Sequence, residues 1–184
     1  TYITTPVVNN DKASVLIETK IQNQNSTSKQ ATVNTFIFKG KKKITSISQN
    51  ITIEANTNKE IKRETSIENP ILWSIESPEL YTAVTEITID NKIVDQYKTP
   101  FGIRSFTFDY DKGFILNNKQ VKIKGVCLHH DLGALGSAIN TRAIERQLQI
   151  MKDMGVNGIR TSHNPPAPEL LDLCDKMGFI VMDE

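Results

Sequence analysis

The period of the apolar residues changes once along this chain, near residue 108. Before that point apolar residues tend to alternate with polar ones, which is the pattern of half-buried β-strands. Beyond it, short apolar runs are joined by segments in which apolar residues recur every third or fourth position, as in amphipathic helices. The change predicts a multidomain protein, with an all-β domain over residues 1–108 and an α/β domain over residues 109–184.

The first of these domains is predicted to be an antiparallel β-sandwich. Apolar or threonine residues occupy every second position in three stretches: Val15, Ile17, Thr19 and Ile21; Val33, Thr35 and Ile37; Tyr81, Ala83, Thr85, Ile87 and Ile89. Separate strands are expected at residues 44–48 and 51–54, and residues 90–92 form a turn signal. Short strands at this spacing, with no helical segment between them, indicate an immunoglobulin-like sandwich. Trp73 is expected to anchor its core or its junction.

The second domain is predicted to open with a hairpin and to continue as a βαβαβ unit. The expected elements are a hairpin that turns at Asn117-Asn118 and strands at residues 121–127, 156–161 and 179–182. Helices are expected between the strands, with Asn140 or Thr141 capping the first and Pro168 in the first turn of the second. Gly155 and Gly178 are the expected helix ends. Because a helix connects each strand to the next, the strands are predicted to form a parallel sheet with right-handed connections.

The same periodicity predicts which side chains are buried in this unit. The first helix has an apolar stripe of Ile144, Leu148 and Met151, widened by Ile150 and Met154. The second is expected to bury Leu170, Leu173, Cys174 and Met177. Cys127 and Cys174 have no metal-type spacing, so both are expected to be buried free thiols. The cysteines leave the compartment open between periplasm and cytoplasm.

All three histidines of the chain follow predicted strand ends. His129 and His130 come after the first parallel strand and His163 after the second. Further polar residues at the same edge are Arg160, Asp131, Asp183 and Glu184. In a parallel α/β barrel this edge carries the active site, although each histidine alone could be a satisfied polar residue at a domain junction. A zinc-type site is disfavoured, because neighbours such as His129 and His130 point to opposite sides of a strand.

Charge and hydropathy exclude two classes of partner. The net charge of +1 gives no polyelectrolyte signal, and the lysines around Gly40 are expected to form a solvated hairpin tip, so nucleic acid is not a predicted partner. No apolar run approaches the ~20 residues that span a bilayer, so no membrane span is predicted. The chain begins with Thr1 rather than Met, so its start says nothing about targeting.

Motifs in both predicted domains resemble those of one enzyme family. Residues 157–165 read NGIRTSHNP, and residues 178–182 read GFIVM. Supporting segments are WS at 73–74, PELY at 78–81, FGIR at 101–104 and GVCLH at 125–129. These segments resemble glycoside hydrolase family two, whose members include β-galactosidases and β-glucuronidases. The sequence departs from the family pattern at Asn164, where tyrosine is usual, and at Cys127, where asparagine is common.

The resemblance implies an immunoglobulin-like β-sandwich followed by the first three β/α units of a truncated (β/α)8 TIM barrel. It further implies retaining hydrolysis of terminal β-galactosides by an acid/base Glu and a nucleophile Glu, whose carboxyls stand about 5–5.5 Å apart. Both catalytic Glu residues are expected after Glu184, which itself would be a structural acid or one that supports the substrate-contacting residues. The chain is therefore expected to be an internal fragment, inactive alone. A β-glucuronidase-type parent enzyme and a non-catalytic carbohydrate-binding sandwich remain alternatives.

The resemblance also assigns roles to residues of this chain. His129 and His163 would contact the sugar, and Arg160 would orient the nucleophile. His130, Asp131 and Asn164 complete the candidate substrate-binding set, although the pattern after His129 varies among members. No metal or cofactor is predicted for this chain, since the magnesium ligands that some members have come later. Three parallel strands with an open edge and an uncovered apolar face predict that the chain self-associates or that its C-terminal part is mobile.

Overall fold

A computed structural model describes residues 1–184, which form two compact units. The first unit contains Thr1–Ile71 and Leu80–Ser105, and the second contains Leu72–Glu79 and Phe106–Glu184. The contacts thus place residues 106–108 in the second unit, together with a segment from the middle of the first. The domain limits 1–108 and 109–184 stay a prediction, since this grouping reflects packing alone.

The first unit is built from seven strands in two antiparallel sheets. In chain order the strands are β1 (Tyr2–Thr4), β2 (Lys12–Gln22), β3 (Lys29–Lys39), β4 (Lys42–Ile53), β5 (Asn58–Glu68), β6 (Leu80–Ile89) and β7 (Lys92–Gly102). One sheet has the order β1-β2-β5 and the other β4-β3-β6-β7. The expectation of separate strands at 44–48 and 51–54 is wrong, because Gln49 and Asn50 stay paired with Val33 and Thr32 of β3. Backbone pairing continues there although the side chains are polar.

Apolar residues from both sheets share one core. The buried members of this cluster are Ile21, Ala31, Val33, Ile51, Ile53 and Ile61. Since β2 and β5 belong to one sheet and β3 and β4 to the other, the sheets pack face to face as in a β-sandwich. The predicted inward positions Thr19, Thr35 and Thr85 are also buried, and Thr35 and Thr85 share a hydrogen bond of 3.0 Å. Strand parity therefore predicted this core correctly.

Arg63 of β5 lies inside the sandwich with 5% of its surface exposed. Its Nη1 donates to the Val33 carbonyl oxygen at 3.1 Å, and its Nη2 donates to the Thr35 and Thr19 hydroxyl oxygens at 2.8 and 3.2 Å. Burial lowers the pKa of this guanidinium, because a low-dielectric interior disfavours the charged form. Only neutral oxygens bind the cation, and two of them, from Val33 and Thr35, belong to β3 of the opposite sheet.

The second unit combines a small antiparallel sheet, a parallel sheet and two α-helices. The antiparallel sheet, of order β10-β9-β8, contains β8 (Phe106–Asp109), β9 (Gly113–Leu116) and β10 (Lys119–Gln120). The parallel sheet, of order β11-β12-β13, contains β11 (Gly125–Leu128), β12 (Gly158–Thr161) and β13 (Ile180–Met182). Helices α1 (Thr141–Asp153) and α2 (Pro168–Met177) connect the parallel strands. Neither helix has the length and apolarity of a membrane span.

The first parallel strand is shorter than predicted, since it begins at Gly125 rather than at residue 121. The side chain of Asn157 bonds the preceding backbone instead. Its Nδ2 donates to the Lys122 carbonyl oxygen at 3.0 Å, and its Oδ1 accepts from the Lys124 amide at 2.7 Å. The predicted Asn117-Asn118 turn is confirmed, with φ angles of 50° and 63°.

Helix limits follow the predicted signals. The Asn140 side chain accepts from the Ala143 amide at 3.0 Å, and α2 ends at Gly178 with a φ of 76°. The helices and the sheet bury a cluster of Ile144, Leu148, Ile159, Leu170, Leu173, Cys174 and Phe179. The predicted widening of the α1 stripe is wrong, since Ile150 and Met154 are exposed. Only the side that carries Ile144 and Leu148 turns toward this cluster.

The Leu72–Glu79 segment packs within the second unit, against the carboxyl ends of both helices. Trp73 is 2% exposed, and its Nε1 donates to the Asp175 carbonyl oxygen at 2.8 Å. Lys152 Nζ donates to the Ile75 carbonyl oxygen at 3.2 Å and also to the Met177 carbonyl oxygen. Trp73 is therefore a core residue of this unit, and the expectation that it anchors the core of the sandwich is wrong. Lys152 places a cation next to the free carbonyl oxygens at the end of α2.

The two cysteines differ in environment. Cys174 is buried as predicted, and burial raises the pKa of its thiol to about 12. The prediction that Cys127 is buried is wrong, since it is exposed. Along β11, Val126 and Leu128 pack against the helix-side cluster, so the alternation of a strand directs Cys127 to the uncovered face.

Candidate functional site

The carboxyl ends of the three parallel strands bring a set of polar residues to one edge. Strand register pairs Leu128 with Thr161 and Arg160 with Met182. Residues that follow these positions, namely His129, Ser162, His163, Asp183 and Glu184, therefore lie next to one another. This edge is the candidate site, and most of its side chains are open to solvent.

One carboxylate at this edge binds two side chains. Glu184 Oε1 accepts from Arg160 Nε at 2.8 Å and from Arg160 Nη2 at 2.6 Å. Glu184 Oε2 lies 3.1 Å from His163 Nδ1. The hydrogen bonds from Arg160 hold the pKa of Glu184 below its ordinary value, against the opposing effect of desolvation, and the contact with His163 adds to the lowering. The same hydrogen bond raises the pKa of Arg160, so the pair is ionised at neutral pH.

Thr161 fixes the backbone beneath this network. It is 2% exposed, and its hydroxyl oxygen accepts from the Glu184 amide at 3.2 Å. The same hydroxyl lies 3.4 Å from both the Met182 carbonyl oxygen and an Asp183 carboxyl oxygen, either of which can accept its proton. Thr161, at the end of β12, thus fixes the backbone of the residues that follow β13, including that of Glu184.

The two histidines of the site form an aromatic pair. The ring centroids of His129 and His163 are 6.0 Å apart, with the rings inclined at 73° in an edge-to-face arrangement. The His163 side chain is 68% exposed, whereas Glu184 beneath it is 25% exposed. The peptide bond between Ser162 and His163 is cis. Both imidazole rings are exposed to solvent, so a ligand can reach them.

The other predicted site residues lie apart from this network. His130 and Asp131 line a cavity of about 40 Å³ next to α1, and the Asp131 carboxylate accepts from the Gly133 amide at 2.8 Å within its own loop. Asn164 is exposed. The structure thus brings together His129, Arg160 and His163, but His130, Asp131 and Asn164 take no part in their network; the part that each residue plays in binding stays a prediction.

Sequence reasoning placed Glu184 at this edge as a structural acid or one that supports the substrate-contacting residues, and its bonds to Arg160 and His163 agree with the second role. It did not consider Thr161. Strand parity offered a signal for Thr161, because it shares the helix-side face with Ile159, the face opposite Arg160. The exposed thiol of Cys127 is the cross-strand neighbour of Arg160 on the uncovered face.

No three His, Cys, Asp or Glu side chains are grouped in a way that could hold a metal ion. Two imidazoles, a guanidinium and a carboxylate can donate to and accept from a polyhydroxylated ligand.

Comparison with known proteins assigns the chain to a family. Residues 1–104 match the model of glycosyl hydrolases family 2, and residues 110–184 match the model of the TIM barrel domain of the same family. The chain belongs to glycosyl hydrolase family 2. Membership confirms the resemblance read from the motifs, and the sandwich and the start of a TIM barrel domain agree with the family's description.

Several members of family 2 align with the whole chain. It is 50% identical to Beta-galactosidase BoGH2A of Bacteroides ovatus, over 100% of this chain and 22% of that protein. It is 32% identical to a putative beta-glucuronidase of Formosa agariphila, over 99% of this chain and 22% of that protein. Among solved structures, a family 2 member from Bacteroides cellulosilyticus superposes with a TM-score of 0.95 at 36% identity, over 100% of this chain and 25% of that chain. The chain thus spans about a quarter or less of each of these relatives.

Proposed function

We propose that this chain is part of a retaining glycosidase that cleaves terminal β-galactosides. The observation that carries the proposal is the 50% identity with Beta-galactosidase BoGH2A along the whole chain. Its β-sandwich precedes the first three β/α units of a (β/α)8 barrel, and the mouth of that barrel is the candidate site. A retaining mechanism uses two carboxyls about 5–5.5 Å apart, one as acid/base and one as nucleophile. Both are proposed to come from residues after Glu184.

Within this enzyme the present chain supplies one wall of the sugar site. His129 and His163 are proposed to contact the sugar hydroxyls through the exposed edges of their rings. Arg160, which is already bound to one carboxylate, is proposed to face the nucleophile with its remaining amino group. His130, Asp131 and Asn164 form the surrounding rim. This chain groups no set of carboxylates that fits a magnesium ion, so magnesium in the longer enzyme would need ligands from elsewhere.

A β-glucuronidase-type enzyme is the second candidate, and a specific observation favours it. The putative beta-glucuronidase of Formosa agariphila aligns with 99% of the chain. The two activities differ at the sugar carboxylate, which needs cationic or amide donors to bind it. A carbohydrate-binding sandwich has less support, because the only large aromatic side chains exposed on the first unit are those of Tyr2 and Tyr97.

Steady-state kinetics with two chromogenic substrates would test the proposal. The full-length enzyme is expected to hydrolyse nitrophenyl β-galactoside with a kcat/KM at least about tenfold above that for nitrophenyl β-glucuronide. The reverse preference would replace the first proposal with the second. The 184-residue chain alone is expected to show no turnover, and activity that persists in its His163→Ala variant would point to a contaminant rather than to this chain.

A further inference from the structure

The two oxygens of the Glu184 carboxylate bind different side chains, Arg160 and His163. This arrangement limits the hydrogen bonds that His163 can make. Building on the proposed function, we infer that Glu184 is a positioning residue that makes His163 present Nε2 to the sugar as a hydrogen-bond acceptor. The ligand group that His163 recognises is then a hydroxyl that donates its proton. The direction of this hydrogen bond determines which orientations of a sugar hydroxyl the site can accept.

The two carboxylate oxygens of Glu184 have different partners. Its Oε1 is occupied by two charged donors, Arg160 Nε and Nη2, which leaves Oε2 for His163. An ionised carboxylate can only accept hydrogen bonds. The proton of that contact must therefore sit on His163 Nδ1. In a neutral imidazole with Nδ1 protonated, Nε2 carries a lone pair and accepts.

Hydrogen bonds hold both the backbone and the side chain of Glu184 in place. The Glu184 amide donates to the Thr161 hydroxyl oxygen at 3.2 Å, and Arg160 donates to the Glu184 carboxylate through two nitrogens. The side chain of Glu184 is 25% exposed, whereas that of His163 is 68% exposed. Glu184 is thus the more buried of the two residues, and the imidazole of His163 faces solvent. This is expected of a site in which a carboxylate sets the tautomer of a histidine that contacts the ligand.

The ring of His163 has a second neighbour, the ring of His129, whose centroid is 6.0 Å away in an edge-to-face arrangement. Arg160 donates to the Oε1 atom of the same carboxylate. The contact of His163 Nδ1 with an acceptor is the one with Glu184 Oε2. Glu184 is therefore assigned the control of which ring nitrogen is protonated.

Nitrogen NMR of the histidine side chains tests the tautomer directly. The 184-residue chain contains three histidines, so a ¹⁵N-histidine sample with a His163→Gln variant assigns the relevant signals. At about pH 8.5, two units above the ordinary histidine pKa, wild type is expected to show His163 protonated on Nδ1. In Glu184→Gln, the amide oxygen keeps the two Arg160 donors and the amide NH₂ faces His163. The ring is then expected to switch its proton to Nε2.

Kinetics of the full-length enzyme supply the second measurement. Glu184→Gln and Glu184→Asp are expected to lower kcat/KM by about 10–100-fold, the range found when groups that orient a site residue are removed. Glu145→Gln is the matched control, because it removes an exposed Arg–Glu pair on the surface of α1 that has no part in the Glu184 network. Its kcat/KM is expected to stay within about twofold of wild type.

Two results would overturn the inference. One is a wild-type His163 that carries its proton on Nε2, and the other is a Glu184→Gln enzyme with unchanged tautomer and kcat/KM. If wild-type enzyme cleaves neither substrate, the proposed function fails while the tautomer result still decides the role of Glu184. Thermal melting of each variant separates a lost hydrogen bond from a lost fold.

Discussion

Gly178 and Ile75 approach so closely that a side chain at residue 178 has no room. An added Cβ would lie 2.2 Å from the Ile75 carbonyl oxygen, and the backbone there has a φ of +76°. Both facts require glycine: one through the left-handed conformation and one through the collision with backbone.

Gly178→Ala is accordingly expected to destabilise the chain by more than about 2 kcal/mol, since strain and steric overlap add. Gly155→Ala is the matched control, because Gly155 has a φ of +84° but no atom within 4 Å of the added Cβ. It is expected to cost only about 1 kcal/mol. Chemical denaturation measures both free energies, and equal values would show that the contact with Ile75 is unimportant.

Arg63 provides a second prediction about stability. Arg63→Lys keeps a buried charge but cannot reach three separate acceptors, so its cost is expected to be about 2–4 kcal/mol. Arg63→Met removes both the charge and the hydrogen bonds and is expected to cost about 1–2 kcal/mol, because the desolvation penalty disappears as well. Urea unfolding ranks the two variants. A lysine variant as stable as the methionine variant would contradict the view that the buried charge dominates.

The Glu184 network predicts a pH dependence with a definite sign. Arg160 holds the pKa of Glu184 below its value in the unfolded chain. The folded state therefore gains stability above the ordinary glutamate pKa of about 4.3 and loses it as the pH falls through the lowered pKa. The difference in Tm between wild type and Glu184→Gln is expected to be largest near neutral pH and to vanish in acid. A difference in Tm that grew in acid would contradict this prediction. Glu145→Gln, measured over the same pH range, corrects for the general effect of removing a surface charge.

The cysteines are expected to differ in reactivity. Cys127 is exposed, so a thiol reagent should modify it in the folded chain, and Cys127→Ser should abolish that fast phase. Cys174 is buried with a pKa raised from 9.0 to about 12, which lowers its thiolate fraction roughly a thousandfold. It should react only when the chain unfolds. Two equally fast phases in native conditions would contradict this difference.

The uncovered face of the parallel sheet predicts self-association of the 184-residue chain. Met182 is 62% exposed there, and β11 and β13 both have an unpaired edge. Sedimentation is expected to show a weight-average mass that rises with concentration, and Met182→Asp should reduce the rise. A monomer at every concentration would count against the prediction.

Strand parity predicted the inward side chains of the sandwich because alternation depends only on the geometry of a strand. It failed to mark Arg63, although this residue shares its parity with Ile61 and Ile67, since a charged residue is rarely placed inside. Parity could not assign Cys127 either. A four-residue strand has two faces, and only the packed helices decide which of them is covered.

The location of the candidate site was predictable because parallel strands bring their carboxyl ends to one edge. That rule predicts that His129, Arg160 and His163 lie near one another. It carries no information on which oxygen of Glu184 meets which partner, because such contacts depend on rotamers and on the twist between β12 and β13. The atomic arrangement therefore had to come from the structure.

The Leu72–Glu79 segment has a consequence for biosynthesis. Trp73 leaves the ribosome about a hundred residues before Asp175, whose carbonyl oxygen accepts its indole proton. The nascent chain must therefore hold an apolar side chain without its final partner while most of the second unit is still being translated. A shortened gene that starts at residue 109 would never encode that tryptophan, and its product should expose the apolar surface that Trp73 covers.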